Sequence, residues 1–250
     1  MDRFERTRLL FGAQAMDILA NSTVAVAGLG AVGSYAVEAL ARCGIGTLRL
    51  VDFDTVHTSN INRQLYALES TIGKHKTAIA AARVKEINPD CRVIASDLFI
   101  DSQTVQQVFD PRPDIVVDAI DSVGPKAALL EAAHRAGLQI VSSMGAAVTT
   151  DPAMIRVNDI SCTRWCPLAR WMRRHLKRRG INDGILCIYS EEDTRHLRQR
   201  LPAADQETWN TRGRARQTLG SFSCMTGIFG LRLAREVIRL LLGPHFPQSK

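Results

Sequence analysis

The 250-residue sequence predicts an α/β fold. It is a Rossmann-like, mainly parallel sheet with helices on both faces, short N-terminal helices ahead of it and a basic C-terminal extension behind. Three observations carry that reading. Short apolar runs of strand length alternate with stretches of helical periodicity, the pattern of strands joined by crossover helices. The first apolar run, residues 24–27, enters Gly28-Leu29-Gly30-Ala31-Val32-Gly33. The second ends in Asp52, nineteen residues beyond Gly33. Strand, glycine turn, helix, strand and acid, in that order, make a nucleotide-binding βαβ unit.

The elements follow in turn. Residues 3–20 predict one or two short helices, with Leu9, Leu10, Ala13 and Ile18 as buried positions. Residues 24–27 and 48–51 are strands with a helix over 32–42 between them. Residues 77–87 have helical periodicity and stop at Asn88-Pro89. Further strands are expected at 92–95, 115–117 and 139–142, with helices over 105–109 and 126–136, the latter closed by Gly137. Residues 154–157 and 185–189 read as strands of a mixed edge. Residues 191–217 combine charge, Pro202 and little periodicity, which predicts a mobile loop. An amphipathic helix over 229–242 puts Leu231, Ala234, Ile238 and Leu241 on one face, for the core or a dimer interface.

The chemistry gathers in three places. Gly28 permits the tight turn, Gly30 lets a phosphate approach the backbone, and Gly33 lets helix and strand pack closely. The helix start offers free N–H groups and a positive dipole end to the phosphates, and Ser34 adds a hydroxyl there. Asp52 is placed to accept from ribose hydroxyls. Past it come Asp54, then Asn60 and Arg63 within Ser59-Asn60-Ile61-Asn62-Arg63-Gln64, then Lys76 in Gly73-Lys74-His75-Lys76. A hydride-transfer enzyme has little use for cations there. An enzyme that cleaves a nucleoside triphosphate needs them, because fixed cations stabilise the charge that builds on the phosphates. The third place is Asp118-Ala119-Ile120-Asp121-Ser122, closing the apolar run 115–117. A carboxylate at the carboxyl end of a parallel strand sits beside the ligand crevice and can hold Mg2+ against phosphates. Asp118 can equally cap the next turn, so Asp121 is the preferred metal ligand.

In this order the motifs resemble those of the adenylating superfamily related to the ubiquitin-activating enzyme, in bacteria the ThiF/MoeB/HesA family, over about residues 3–160. Arg3-Phe4-Glu5-Arg6-Thr7 is similar to that family's Arg-aromatic-x-Arg segment. The resemblance implies one adenylating domain over 1–250 with a nucleotide-binding core at 24–160, and ATP and Mg2+ as cofactors. It assigns the ribose to Asp52, the phosphates to Asn60, Arg63 and Lys76, and Mg2+ to Asp121, with Asp54 and Ser122 among the nucleotide contacts. It also sends Arg6 into the partner's site in a homodimer, so that Arg6, Arg63, Lys76 and Asp121 form the catalytic set.

Relatives that adenylate a sulfur-carrier protein often carry two CxxC pairs for zinc; this sequence has none. Its six cysteines are Cys43, Cys91, Cys162, Cys166, Cys187 and Cys224. Cys162 and Cys166 would share one face of a helix but lack a second pair, so packed core or interface thiols are expected. Glu86-Ile87-Asn88-Pro89-Asp90-Cys91, Pro125-Lys126-Ala127-Ala128-Leu129 and Cys166-Pro167-Leu168-Ala169-Arg170 resemble the tRNA threonylcarbamoyladenosine dehydratase branch. Two departures stand out: Gly30-Ala31 where relatives usually have a glycine pair, and Cys166 where Asp is expected.

Charge adds to this. Lys and Arg number 32 against 25 Asp and Glu, a net +7. Residues 161–220 hold thirteen of the basic residues and six of the acidic ones, so the whole excess lies after the nucleotide-binding unit. A helix carrying Arg170, Arg173, Arg174, Lys177, Arg178 and Arg179 is the expected tRNA-binding stripe; residues 161–220 thus form a basic helix and mobile loop, and 221–242 a C-terminal helix. The charged N-terminus lacks an apolar signal segment, no run is long enough to span a membrane, and scattered cysteines suit a reducing compartment, which together predict a cytoplasmic protein. The expected activity is ATP-dependent cyclisation of threonylcarbamoyladenosine in tRNA through a carboxyl-adenylate. The alternative is adenylation of the C-terminal glycine of a sulfur-carrier or ubiquitin-like protein; a cysteine desulfurase or sulfur-acceptor partner is left open. Neither Cys187 nor Cys224 has an evident base beside it for a covalent role.

Overall fold

The computed structural model of the chain describes residues 2–200 and 219–247. Helices α1 (Glu5–Phe11) and α2 (Ala13–Asn21) lead into β1 (Thr23–Ala27), α3 (Gly33–Arg42) and β2 (Thr47–Asp52). Then follow α4 (Lys76–Ile87), β3 (Arg92–Asp97), β4 (Ile115–Asp118), α5 (Val123–Arg135) and β5 (Gln139–Ser143). The chain continues through β6 (Ile155–Asp159), α6 (Pro167–Lys177), β7 (Leu186–Ser190), α7 (Arg195–Arg200) and α8 (Ser223–Leu242).

The seven strands lie in the order β3-β2-β1-β4-β5-β7-β6. All neighbours are parallel except β6, which runs antiparallel to β7 at the edge. Strand residues alternate between two cores. Val24, Val26, Leu48, Leu50, Ile115 and Val117 face the core covered by α2, α3, α4 and α8. Ala25, Ala27, Val51 and Val116 face the core covered by α5 and α6. Both faces are therefore apolar, as a buried parallel sheet requires. The chain order reverses between β1 and β4, and a crevice opens there at the strands' carboxyl ends.

The structure departs from the sequence reading in several places. Leu9 and Leu10 are exposed and α1 buries nothing; Ala13 is exposed and Ile18 half-buried. Gly12 (φ 86°) breaks the helix, resets its phase, and leaves Ala15, Met16 and Leu19 as the buried positions. Residues 105–109 form a 3-10 turn rather than an α-helix, anchored by Asp101 and Thr104. α8 starts six residues before the expected 229. Gly230 is where α8 crosses the start of α3: a Cβ there would stand 2.4 Å from the Val32 carbonyl oxygen. The buried face of α8 carries Phe229, Leu233, Ala234, Val237 and Ile238, while Leu231 is exposed. Within the expected loop, Arg195–Arg200 is helical, and 201–217 lies outside the described residues. Cys162 ends a 3-10 turn and Cys166 precedes α6, so the two do not share a helix face. No described helix is long and apolar enough to cross a membrane.

Candidate active site

A cleft of about 720 Å3 opens over the carboxyl ends of β1, β2, β4 and β5. Of the sequence-derived site residues, Gly28, Gly30, Asp52, Asp54, Asn60, Arg63, Lys76, Asp121 and Ser122 all line it. The glycines divide their work. Gly28 takes φ 89°, and a Cβ on it would stand 2.7 Å from the Ala119 carbonyl oxygen; on Gly33 it would stand 1.8 Å from that of Gly28. Those two shape the turn itself. Gly30 has nothing nearer than Gln64 at 3.7 Å, so the space over it belongs to the cleft.

Asp52 ends β2 with its carboxylate buried, accepting from the N–H groups of Leu29 at 2.6 Å and Asp54 at 2.8 Å. Burial pushes its pKa up, opposed by the charge of Lys76. Lys76 stands at the start of α4 and pairs with Asp54 at 3.1 Å; it is almost wholly buried. The Asn60 side chain accepts from the His57 N–H at 3.2 Å. The Arg63 guanidinium is aimed by the Ser59 carbonyl (2.9 Å) and the Asn62 side chain (2.8 Å). A strand end, a loop and a helix start thus bring two cations and two acids to one wall.

One expected contributor, Ser34, stands elsewhere, and Arg6, expected in a partner's site, lies outside this cleft. Ser34 is fully buried and its hydroxyl accepts from the Leu65 N–H at 3.2 Å, which fastens the 60s loop to α3 rather than facing a ligand. Arg6 lies exposed on α1 and is not among the cleft-lining residues.

Sequence reasoning passed over Lys126. It is completely buried, 2.6 Å from Asp118, and donates to the carbonyls of Ile120 (2.9 Å) and Ser143 (2.8 Å). Asp118 also accepts from the Ser142 hydroxyl at 2.6 Å and the Ile120 N–H at 3.1 Å. This buried pair ties the loop after β4, which carries Asp121, to the loop after β5; both line the cleft. The signal was present, because Lys126 falls at a core position of the 126, 129, 130, 133 helical pattern. Phe53 and Phe99, edge to face at 4.9 Å, and Trp165 also line the cleft.

On α6, Ala169, Met172 and Leu176 are buried, and the basic residues divide. Arg173 turns inward to Thr163, donating to its carbonyl at 2.7 Å, and Arg179 pairs with Glu131 at 2.6 Å. Arg170, Arg174, Lys177 and Arg178 remain on the exposed face. Cys187 is buried with its pKa driven up by burial, so it is not a ready thiolate; Cys224 is exposed. Cys166 is buried at the cleft wall.

With this geometry in view, the likeness to known proteins is decisive. The chain matches the ThiF family over residues 4–250. It belongs to the ThiF family. Among curated members it is 43% identical over 199 residues to the tRNA threonylcarbamoyladenosine dehydratase of Bacillus subtilis, covering 80% of this chain and 78% of that one. It is 40% identical over 197 residues to that of Escherichia coli, covering 76% and 74%. Among solved ThiF-like structures, the E. coli dehydratase in complex with AMP superposes with a TM-score of 0.86 at 34% identity, covering 98% of this chain and 96% of that one. The complex of the same enzyme with ATP superposes at 0.83 and 33% identity, covering 99% and 96%.

Proposed function

We propose that this protein is an ATP-dependent tRNA threonylcarbamoyladenosine dehydratase. The observation that carries the reading is the meeting of Gly30, Asp52, Arg63, Lys76 and Asp121 in one cleft of a chain 43% identical to such an enzyme. The glycine turn and the start of α3 receive the ATP phosphates, and Asp52 takes the ribose. A carboxylate oxygen of the threonyl group attacks the α-phosphorus and pyrophosphate leaves, stabilised by Lys76 and Arg63. The product is an acyl-adenylate, which turns a poor electrophile into a good one. An atom of the neighbouring carbamoyl group then closes a ring on that carbonyl, AMP departs with the carboxylate oxygen, and the nucleoside has lost the elements of water. Attacker and electrophile share one molecule, so effective molarity replaces a protein nucleophile.

Mg2+ fits this wall. Asp121 and Ser122 line the cleft, and no cluster of three or more metal-binding side chains exists among the described residues. That suits an ion held by one or two protein oxygens plus phosphates and water; bound there, it would neutralise phosphate charge. Arg6, exposed on α1, completes the set from a second copy in a homodimer. The open face of α6 receives the tRNA backbone, and the setting is the cytoplasm.

The test is direct. Purified protein given ATP and tRNA bearing threonylcarbamoyladenosine should release one AMP and one pyrophosphate for each nucleoside that loses one water by mass. Absence of AMP release would overturn the reading. Pyrophosphate exchange that instead required a Gly-Gly-tailed protein would move the chain to sulfur-carrier activation. Mixing Arg6→Ala with Lys76→Ala subunits should restore activity that neither has alone, if Arg6 acts across the dimer.

A further inference from the structure

Between the 3-10 turn Ile160–Cys162 and α6 the chain runs Thr163-Arg164-Trp165-Cys166. Trp165 lines the cleft, and 60% of its surface is exposed. Its backbone is left-handed, φ 60°, where a bulky residue is an outlier and the conformation costs energy. The turn is closed by the Cys166 N–H donating to the Arg164 carbonyl at 2.6 Å. Thr163 and Cys166 on either side are buried, so the ring is thrust outward from fixed anchors. The Arg195 guanidinium lies 5.6 Å from the ring centroid, held by Asp193 at 2.6 Å. Arg164 and Arg170 are exposed alongside in sequence. A single apolar residue on a surface is ordinary. An aromatic held out of the fold by a strained turn, at a ligand cleft and among cations, is a different object.

We propose that Trp165 is a base-stacking platform, its ring taking a nucleobase next to the modified adenosine of the tRNA loop. The inference rests on the dehydratase reading above. A nucleoside that enters the cleft from an unpaired loop leaves its neighbours unstacked at the rim. An indole face restores that stacking whatever the base, and nearby guanidinium groups meet the adjoining phosphates. Trp165 therefore selects for a nucleic-acid acceptor over a protein tail.

The sequence has three tryptophans, Trp165, Trp171 and Trp209, so Trp171→Phe with Trp209→Phe leaves Trp165 as sole reporter. An anticodon stem-loop RNA carrying threonylcarbamoyladenosine should quench its fluorescence, and ATP alone should not. Trp165→Leu should raise the KM for that RNA about 10- to 100-fold, the range for one base on one ring, with the KM for ATP within about twofold; Trp165→Phe should recover most of the loss. RNA with abasic neighbours beside the modified adenosine should bind the native protein more weakly by a similar factor and be insensitive to Trp165→Leu. Conversion of the RNA without quenching, or quenching by ATP alone, overturns the inference while leaving the dehydratase reading intact. Failure of the native protein to convert the RNA at all overturns both.

Discussion

Two Asp–Lys pairs sit at the carboxyl end of the same sheet and do opposite things. Lys126 and Asp118 are both completely buried, 2.6 Å apart, and Lys126 spends its donors on Asp118 and two carbonyls. Lys76 and Asp54 are 3.1 Å apart and both line the cleft; among the described residues the Lys76 ammonium donates one hydrogen bond, to Asp54. The first pair is saturated and holds two loops in register. The second keeps donors for a ligand. Residue type is identical, so what separates a saturated pair from one open to a ligand is access and unspent hydrogen-bonding capacity.

That contrast can be broken experimentally, beginning with the largest effect. Lys126→Met strands a buried carboxylate and should cost about 3–5 kcal/mol of folding stability, read from urea midpoints. Pairing it with Asp118→Leu should recover much of the loss if the charge, rather than the shape, is at fault. Lys76→Ala should cost less stability than Lys126→Met, because its partner Asp54 is partly exposed, and lower kcat about 100- to 1,000-fold, the range for one lost transition-state donor, in an AMP-release assay. Equal damage to stability from both lysine variants would erase the distinction.

The same division appears on α6. Reversing Arg170, Arg174, Lys177 and Arg178 to Glu should weaken tRNA binding, with ATP affinity retained. The slope of log affinity against log salt should fall by about one for each phosphate that is no longer neutralised. Arg173→Glu should act first on stability, because Arg173 is tied to Thr163.

The smallest effect concerns Asp52. Its folded-state pKa is raised, chiefly by burial, so the folded protein takes up this proton before the unfolded chain does. Its contribution to stability is therefore full below the ordinary carboxylate pKa and is lost as pH rises through the folded value. Urea midpoints at pH 7 and pH 4.5 should show wild type gaining on Asp52→Asn as the medium is acidified. A constant difference would mean that Asp52 does not titrate this way.

Much of the cleft was legible because its constraints are local. A turn that needs Gly28 and a helix start pressed against it need glycine at fixed spacing, and the acid after β2 follows from the geometry of one βαβ unit. The role of Ser34 was not legible, because its direction depends on the 60s loop, which packs over α3 from thirty-one residues away. Nor was the start of α8 over 223–228, where Gly227 packs against the Tyr35 ring, a partner that neighbours in sequence do not reveal. Periodicity alone puts Leu9, Leu10 and Leu231 in the interior, and they stand outside it.

From the sequence alone came the order of strands and helices, the nucleotide turn, the acids and cations of one wall, and the location of the surplus positive charge. These follow from period, backbone sterics and composition, all of which act over a few residues. Tertiary structure alone decided which lysine is consumed and which is available, which arginines of α6 face solvent, and that Trp165 is turned outward. Those outcomes depend on partners brought from distant positions, and burial and hydrogen-bond satisfaction exist only once the chain has closed on itself.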